Sequence, residues 1–292
     1  MKRVQLFLPC LLLSIFFIAC GNEEAANNST STPDSTTASV TDDWKLGTQL
    51  WTFRMFTVAE ALDKADSVGV KNVEAFWGQP LGAGLKDSFG INMSAESRAK
   101  LKELLQNKNM HIVAMGVISP ATREDWQKAF ELAKEFNLSY ITSEPRKNLW
   151  GMIDSMAGNY GIKVAIHEHA NPNPYWHPDS VLAAIQGHPN IGACADIGHW
   201  ARSGLDPVEC LKKLDGHILG VHVKDIVKFN EVKAADTPVT KGVIQYPPIF
   251  AELKRQQFKG MFSIEQESNW YNSVPDVKNT VEYYKSEVAK LK

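Results

Sequence analysis

Short apolar runs alternate with longer amphipathic stretches along the chain from Trp44 onward. Eight apolar runs have the length of buried strands, and they cover residues 47–51, 72–76, 111–117, 140–143, 163–167, 191–195, 218–223 and 261–265. Helical periodicity predicts helices near residues 57–69, 94–108, 121–136, 147–160, 178–187, 206–214, 247–257 and 275–291. Strict alternation of strands with helices is typical of a parallel sheet covered by helices.

Eight strand–helix units in about 250 residues predict an α/β fold of the closed (β/α)8 type, a TIM barrel. A doubly wound open sheet is the alternative, but its usual cofactor motif, G-x-G-x-x-G, does not follow the first strand. Local signals agree with the predicted helix ends. Ser94 and Thr122 stand where N-caps are expected, and Gly69 and Gly161 follow helices.

Composition and charge are those of an ordinary globular protein, with 44% hydrophobic and 22% charged residues in a chain of 292. The formal net charge of -2 lacks the basic excess that nucleic-acid binding requires, so we expect no nucleic-acid partner. Cys194 lies in an apolar strand and Cys210 on a helix. Both are predicted to be buried free thiols.

The start of the chain has the pattern of an export signal. Lys2 and Arg3 precede an apolar run over residues 6–19, which is too short for a comfortable membrane span. The run ends in Phe-Ile-Ala-Cys, which resembles a bacterial lipoprotein cleavage site, with Phe in place of the usual Leu. The resemblance implies a signal peptide over residues 1–20 and lipid attachment at Cys20. A plain secretory peptide and an uncleaved anchor are the alternatives.

A polar segment follows the signal. Residues 21–42 contain nine Ser or Thr and only one residue with a large aliphatic side chain, Val40. Such a segment cannot bury enough apolar surface to fold, so residues 21–43 are predicted to be a disordered tether. The barrel then occupies residues 44–292. We expect an extracytoplasmic protein at the periplasmic face or the outer membrane, touching the membrane through its lipid anchor only.

Polar residues gather at the ends of the last five predicted strands. The stretches concerned are Thr142-Ser143-Glu144, His167-Glu168-His169, Asp196-Ile197-Gly198-His199, His222-Val223-Lys224-Asp225 and Glu265-Gln266-Glu267. They contain four of the eight histidines. Function in a TIM barrel lies at the carboxyl ends of the strands, where these carboxylates and imidazoles would converge. Such a convergence predicts a site for a divalent metal.

Three of these stretches carry a more specific resemblance. Asp-Ile-Gly-His at 196–199, His-Val-Lys-Asp at 222–225 and Ser-Ile-Glu-Gln-Glu at 263–267 resemble motifs of the xylose isomerase-like superfamily, the sugar phosphate isomerase/epimerase family. Residues 47–51 and 70–74 resemble its first two strands. The resemblance covers residues 45–290.

The resemblance implies four ligands of one divalent metal ion, which are Glu144, Asp196, His222 and Glu265. Manganese, magnesium, cobalt and zinc all suit such a set. It also implies substrate contacts for His169, His199, Lys224, Trp51 and Glu74. The His-Glu-His at 167–169 departs from the Glu-Asn pair common in the family, which leaves open whether His167 or His169 replaces a ligand.

The function that the resemblance implies is metal-dependent isomerisation or epimerisation of a sugar. Glu144 and Glu265 would act as an acid–base pair that removes and returns a proton beside a carbonyl, through an enediolate. Phosphorylated sugars are cytoplasmic, so export predicts an unphosphorylated sugar or keto-sugar as the small-molecule partner.

Other functions use the same residues. A 3-keto-glycoside could lose its glycosidic oxygen after the same proton transfer, which would make the enzyme a lyase or hydratase. A non-catalytic sugar-binding lipoprotein is a third interpretation. An endonuclease on the same barrel is disfavoured, because it would need more histidines at strand ends and a basic face. The sequence leaves a homo-oligomer open.

Overall fold

The computed structural model describes residues 40–291. The predicted signal peptide, the lipidation site Cys20 and most of the predicted tether lie outside these residues. The last part of the predicted tether, Val40–Asp43, forms a short 3-10 helix. Trp44 follows it and donates an indole hydrogen bond to the carbonyl of Phe258 at 2.7 Å. Residues 40–43 of the predicted tether thus form regular structure next to the barrel.

Eight parallel strands close into a barrel, as predicted. The twelve strands within residues 40–291 are β1 Lys45–Gln49, β2 Asn72–Ala75, β3 Pro80–Gly82, β4 Leu85–Ser88, β5 His111–Ile118, β6 Tyr140–Ser143, β7 Lys163–His167, β8 Ile191–Asp196, β9 Ile218–Val223, β10 Asp225–Ile226, β11 Asp236–Thr237 and β12 Met261–Ile264. The barrel order is β1-β12-β9-β8-β7-β6-β5-β2. The barrel closes where β1 pairs with β2.

Helices cover the outside of the barrel. They are α1 Val58–Ser67, α2 Ala95–Lys108, α3 Arg123–Glu135, α4 Trp150–Tyr160, α5 Pro178–Ile185, α6 Ile197–Arg202, α7 Pro207–Lys213, α8 Tyr246–Arg255 and α9 Val274–Ala289. The predicted caps are confirmed, since Ser94 accepts from the amide of Ser97 and Thr122 from that of Asp125. Gly161 ends α4 with a positive φ of 68°. Within residues 40–291, no helix has the length and apolar composition needed to cross a bilayer.

Three features differ from the predicted elements. The first strand ends at Gln49 because Leu50–Phe53 turns into a 3-10 helix, whose Trp51 amide donates to the Gln49 side chain. The short helix α6 follows β8 directly. Two small antiparallel pairs, β3–β4 and β10–β11, stand outside the barrel. These elements are too short to show a clear hydrophobic period in the sequence.

The barrel interior is filled by side chains below the mouth. Val113, Ala114, Tyr140, Ala165, Cys194 and Met261 form a buried cluster there. Tyr140 fits because β9 carries Gly220, where a Cβ atom would lie 2.3 Å from the tyrosine oxygen. Cys194 and Cys210 are both free and buried, as predicted. With the lower barrel closed in this way, the mouth is where a ligand can enter.

Candidate active site

A cavity of about 890 Å³ opens at the carboxyl ends of the barrel strands. Most of the polar residues singled out in the sequence line it, including Glu144, His167, His169, His199, Lys224, Glu265 and Glu267. Aromatic residues form one side, and residues 232–236 of the loop between β10 and β11 form another. The five stretches at the strand ends therefore do meet in one place.

Four side-chain atoms converge at the floor of this cavity. They are His167 Nε2, Asp196 Oδ2, His222 Nδ1 and Glu265 Oε2, which all lie within 4.8 Å of one another. Asp196 Oδ2 is 3.4 Å from His167 Nε2 and 3.6 Å from His222 Nδ1, and Glu265 Oε2 is 3.1 Å from His222 Nδ1. We call these four residues the ligand cluster.

Each of the four atoms is buried and makes no hydrogen bond of normal geometry with any other described residue. The Lys224 ammonium forms ion pairs with the two carboxylate oxygens, but buried polar atoms without hydrogen bonds that face one another are still costly unless a ligand binds between them. Two imidazole nitrogens and two carboxylate oxygens are donors that suit a divalent transition metal. The residues present therefore fit a divalent cation.

Carboxylates behind the two imidazoles set their orientation. His222 donates from Nε2 to Glu74 Oε2 at 3.0 Å, and His167 donates from Nδ1 to Glu144 Oε1 at 2.8 Å. With the N–H side of each ring turned to a carboxylate, the other nitrogen faces the cluster. This carboxylate–histidine arrangement is typical of metal sites, where it fixes the ring and raises its basicity.

Glu74 lies beneath the cavity and does not line it. The side chain is fully buried, and it accepts a hydrogen bond from Ser263 Oγ at 2.8 Å in addition to that from His222. Burial by itself would raise the pKa of Glu74, but His222 and Ser263 hold it below its ordinary value. Glu74 thus orients His222, which differs from the substrate contact expected from the sequence.

Glu144 also differs from its predicted place. Its Oε1 contacts the Nδ1 atoms of His167 at 2.8 Å and His169 at 3.2 Å, and its Oε2 accepts from Asn173 at 2.6 Å. Burial by itself would raise the pKa of Glu144, but these hydrogen bonds hold it far below its ordinary value. The ligand cluster thus contains three of the four residues predicted as ligands together with His167, and Glu144 forms a second group of possible ligand atoms with His167 and His169. The change arises because the β7 imidazole points inward and lies between Glu144 and Asp196.

The positively charged ammonium group of Lys224 lies at the edge of the ligand cluster. Its buried ammonium is 3.2 Å from Asp196 Oδ2, 2.9 Å from Glu265 Oε2 and 2.6 Å from Glu267 Oε1. Burial by itself would lower the pKa of Lys224, but these carboxylates hold it well above its ordinary value. The lysine stem passes over Gly198, where a Cβ atom would lie 2.3 Å from its Cγ.

Two imidazoles stand side by side on the cavity wall. The rings of His169 and His199 are stacked with centroids 4.1 Å apart. His199 Nδ1 lies 3.2 Å from Arg202 Nη1, and a guanidinium can only donate, so Nδ1 accepts and the ring proton is on Nε2. Burial lowers the pKa of His199 well below its ordinary value, which keeps the ring neutral. His169 is 51% exposed, and its Nε2 remains available to a ligand.

Several residues of the site were not singled out in the sequence. Arg202 bonds to His199, to the carbonyl of Ala234 and to Asp236. It lies three positions after His199, so recognition of α6 as a helix would have placed both residues on one face. Asn173 stands in a loop without regular structure, and no local signal relates it to Glu144.

Comparisons with known proteins agree with this architecture. Residues 62–291 match the sequence pattern of the family described as xylose isomerase-like TIM barrel. A solved structure of an uncharacterised protein from Parabacteroides distasonis ATCC 8503 is 35% identical, with a TM-score of 0.69 over 84% of this chain and 99% of that one. The IolI protein with a bound zinc atom has a TM-score of 0.70 over 84% of this chain and 98% of that one; at 17% identity this likeness shows the fold alone.

Curated relatives cover a smaller part of the chain. An inosose dehydratase of Mesomycoplasma hyopneumoniae strain 7448 is 27% identical over 165 residues, which is 50% of this chain and 53% of the relative. An inosose dehydratase of Clostridium botulinum strain Eklund 17B is 34% identical over 146 residues, 45% of this chain and 47% of the relative. The chain therefore spans about half the length of these relatives. The family match itself extends over most of the barrel, and this chain belongs to the xylose isomerase-like TIM barrel family.

Proposed function

We propose that this protein is a divalent-metal-dependent carbon–oxygen lyase or hydratase that acts on an unphosphorylated keto-sugar or its glycoside. The observation that carries the proposal is the pairing of Glu144 with His169. Both oxygens of Glu144 accept hydrogen bonds, and His169 is the exposed base beside the ligand cluster.

The ligand cluster would hold the metal ion. When bound, a divalent cation supplies Lewis-acid polarisation of a carbonyl, which makes the hydrogen on the neighbouring carbon acidic. Two nitrogens and two oxygens favour manganese, cobalt or zinc over magnesium, which prefers oxygen ligands alone. Lys224 remains protonated beside the cluster and can donate to an oxygen of the sugar.

His169 is placed to take the proton next to the carbonyl. Its Nδ1 is tied to Glu144 Oε1, which orients the ring and stabilises the imidazolium formed on proton uptake. His199 presents an N–H on the stacked ring beside it, which can donate a hydrogen bond to the leaving oxygen, and the proton that His169 takes from carbon can pass to that oxygen. The electrons of the broken C–H bond form a carbon–carbon double bond to the next carbon, on the side away from the carbonyl. The carbon–oxygen bond at that next carbon breaks, and the oxygen leaves as a hydroxyl group. Addition of water across the double bond reverses these steps.

This geometry supports elimination over the epimerisation implied by the sequence motifs. Epimerisation needs proton transfer on both faces of one carbon, by Glu144 and Glu265 in the family pattern. Both Glu144 oxygens already accept hydrogen bonds, and a carboxylate with a strongly lowered pKa is a weak base. The relatives named inosose dehydratases support the same choice.

The proposal that the substrate carries no phosphate depends on where in the cell the protein is located. We propose that the chain is exported and lipid-anchored through Cys20, outside the cytoplasm that holds sugar phosphates. The export pattern of residues 1–20 supports this part of the proposal.

Release of a coloured leaving group tests the reaction. The 3-keto form of p-nitrophenyl β-glucoside should release nitrophenol with the metal-loaded protein, and EDTA should stop the release until the ion is restored. His169→Ala should lower kcat by about 100-fold or more, the usual contribution of a general base. His111→Ala, at the opposite end of the barrel, is the matched control and should keep full rate. If the product is instead an epimerised glycoside with deuterium from heavy water at the α-carbon, the lyase proposal is wrong.

A further inference from the structure

The cavity is larger than the ligand cluster needs. Its volume of about 890 Å³ is near the upper end of the roughly 300–1,000 Å³ range of pockets that hold drug-sized ligands. A single sugar ring bound at the cluster would leave part of this space unfilled. The side next to the cluster is formed by Trp51, Phe76 and Trp77, which we call the aromatic wall.

The aromatic wall is held in position by its neighbours. Trp51 donates from Nε1 to Glu267 Oε2 at 3.2 Å, and it meets Phe76 edge-on with ring centroids 5.0 Å apart. The guanidinium of Arg54 lies between Trp51, 4.6 Å from its ring centroid, and Trp270, 3.4 Å from its centroid. A surface fixed before the ligand arrives loses little entropy on binding.

One carboxylate joins the wall to the polar end of the cavity. Glu267 contacts the Lys224 ammonium through Oε1 at 2.6 Å and the Trp51 indole through Oε2 at 3.2 Å. The wall therefore begins one side chain away from Lys224, which itself contacts Asp196 and Glu265. A substituent on a sugar ring held at the ligand cluster would reach the wall directly.

We propose that the aromatic wall is a subsite for a second ring, joined by a glycosidic bond to the sugar ring at the ligand cluster. The inference rests on the proposed function and deepens it, because it makes the substrate a glycoside rather than a free sugar. Half-buried aromatic side chains present the flat apolar surface that stacks on the C–H face of a sugar or on an aryl ring.

Binding without turnover tests the subsite. Methyl β-glucoside, cellobiose and phenyl β-glucoside lack the keto group, so the metal-loaded protein can bind them without elimination. Isothermal titration should show that the two-ring ligands bind roughly fivefold more tightly than methyl β-glucoside, as expected for one aromatic contact. Trp77→Ala should remove this preference and leave the affinity for methyl β-glucoside unchanged. Phe76→Leu is a milder second variant, and Trp176→Ala, outside the cavity, is the control.

The outcomes separate the subsite from the reaction. A preference for phenyl β-glucoside alone identifies an aryl group as the second ring, and a preference for cellobiose alone identifies a sugar. Equal affinities for the three ligands, no binding of any, or an equal loss for all three in Trp77→Ala would overturn the subsite. A two-ring preference in a protein that releases no leaving group from a 3-keto-glycoside would refute the lyase proposal and leave the subsite standing.

Discussion

At the scale of single residues, hydrogen-bond partners decide the role of each acidic side chain. Glu144, Glu74 and Glu265 all stand at or near the ends of predicted strands, and the resemblance implied ligand roles for Glu144 and Glu265 and a substrate contact for Glu74. In the fold, Glu265 keeps an oxygen in the ligand cluster, Glu74 is bound to His222, and Glu144 is bound to two imidazoles and an amide. A carboxylate that accepts hydrogen bonds at both oxygens orients its partners and is a weaker base.

Glu74→Gln should weaken metal binding by about 10- to 100-fold, the usual effect of losing a partner behind a metal-bound histidine. The neutral amide accepts the hydrogen bond from His222 Nε2–H less strongly than the carboxylate does. His222 Nδ1 therefore becomes less basic and is a poorer metal ligand. Competition with a chromophoric chelator measures the change. Glu96→Gln replaces an exposed glutamate on α2 and serves as the control. Unchanged metal affinity in a folded Glu74→Gln protein would contradict the assigned role of Glu74.

Arg202→Met should lower kcat by about 10- to 100-fold with little change in KM, by analogy with other residues that orient a catalytic partner. Without the guanidinium, His199 Nδ1 loses its donor, and the ring can carry its proton on the wrong nitrogen. The pH profile of kcat should also broaden or shift, which a purely structural defect would not cause. Arg202→Lys keeps a donor and should recover part of the rate. Equal rates for Met and Lys variants would remove Arg202 from the mechanism.

At the scale of elements, the segment after β9 forms one wall of the cavity, and one aspartate accepts four backbone hydrogen bonds in it. Asp225, the last residue of the His-Val-Lys-Asp motif, accepts hydrogen bonds from the backbone amides of Ile226 and Ile244 through Oδ1, and of Thr240 and Gly242 through Oδ2. The motif therefore joins residues of the candidate site to a residue with a structural role, with Lys224 in the site and Asp225 hydrogen-bonded to the loop.

Asp225→Asn should reduce the free energy of unfolding by about 1–3 kcal/mol, because the amide nitrogen cannot accept and two buried backbone N–H groups lose their partners. Urea denaturation measures the loss, and hydrogen exchange should become faster across residues 227–244. Asp215→Asn, in an exposed ion pair with Arg255, should change stability by less than about 0.5 kcal/mol. Unchanged exchange in the loop would show that Asp225 does not hold it.

At the scale of the whole molecule, metal binding and folding are linked through protons. Burial by itself would lower the pKa of His167 and of His222, but neighbouring carboxylates raise both above the ordinary imidazole value. The protonated imidazoles stabilise the ion-free fold fully below about pH 6.5, and this contribution is lost as pH rises through the raised pKa values. Metal binding needs both rings deprotonated, so affinity rises over the same range.

The difference in melting temperature between metal-loaded and EDTA-treated protein should therefore widen from about pH 6 to about pH 9. Thermal unfolding at a series of pH values, with fixed ion concentration, measures it. His222→Gln should flatten the trend, whereas His217→Gln, on an exposed loop, should keep it. A constant difference across this range would contradict the displacement of protons by the ion.

The sequence by itself predicted the closed barrel, the strand ends that form the site, and three residues of the ligand cluster. These predictions rest on local information. Hydrophobic period identifies strands and helices from neighbouring residues, and the carboxyl ends of parallel strands must meet at one mouth. Periodicity places Asp196, His222 and Glu265 at strand ends, and their role as ligands is implied by the resemblance of their motifs to the xylose isomerase-like superfamily.

Tertiary structure alone decided which side chain completes the cluster and what each partner does. His167 displaces Glu144, Glu74 lies below the cavity, and Arg202 sets the tautomer of His199. Each outcome depends on atoms from different strands that approach within a few ångströms, and the side chains that satisfy one another are far apart in the chain. Periodicity fixes the element on which a residue lies, but its hydrogen-bond partners are determined only when the barrel closes.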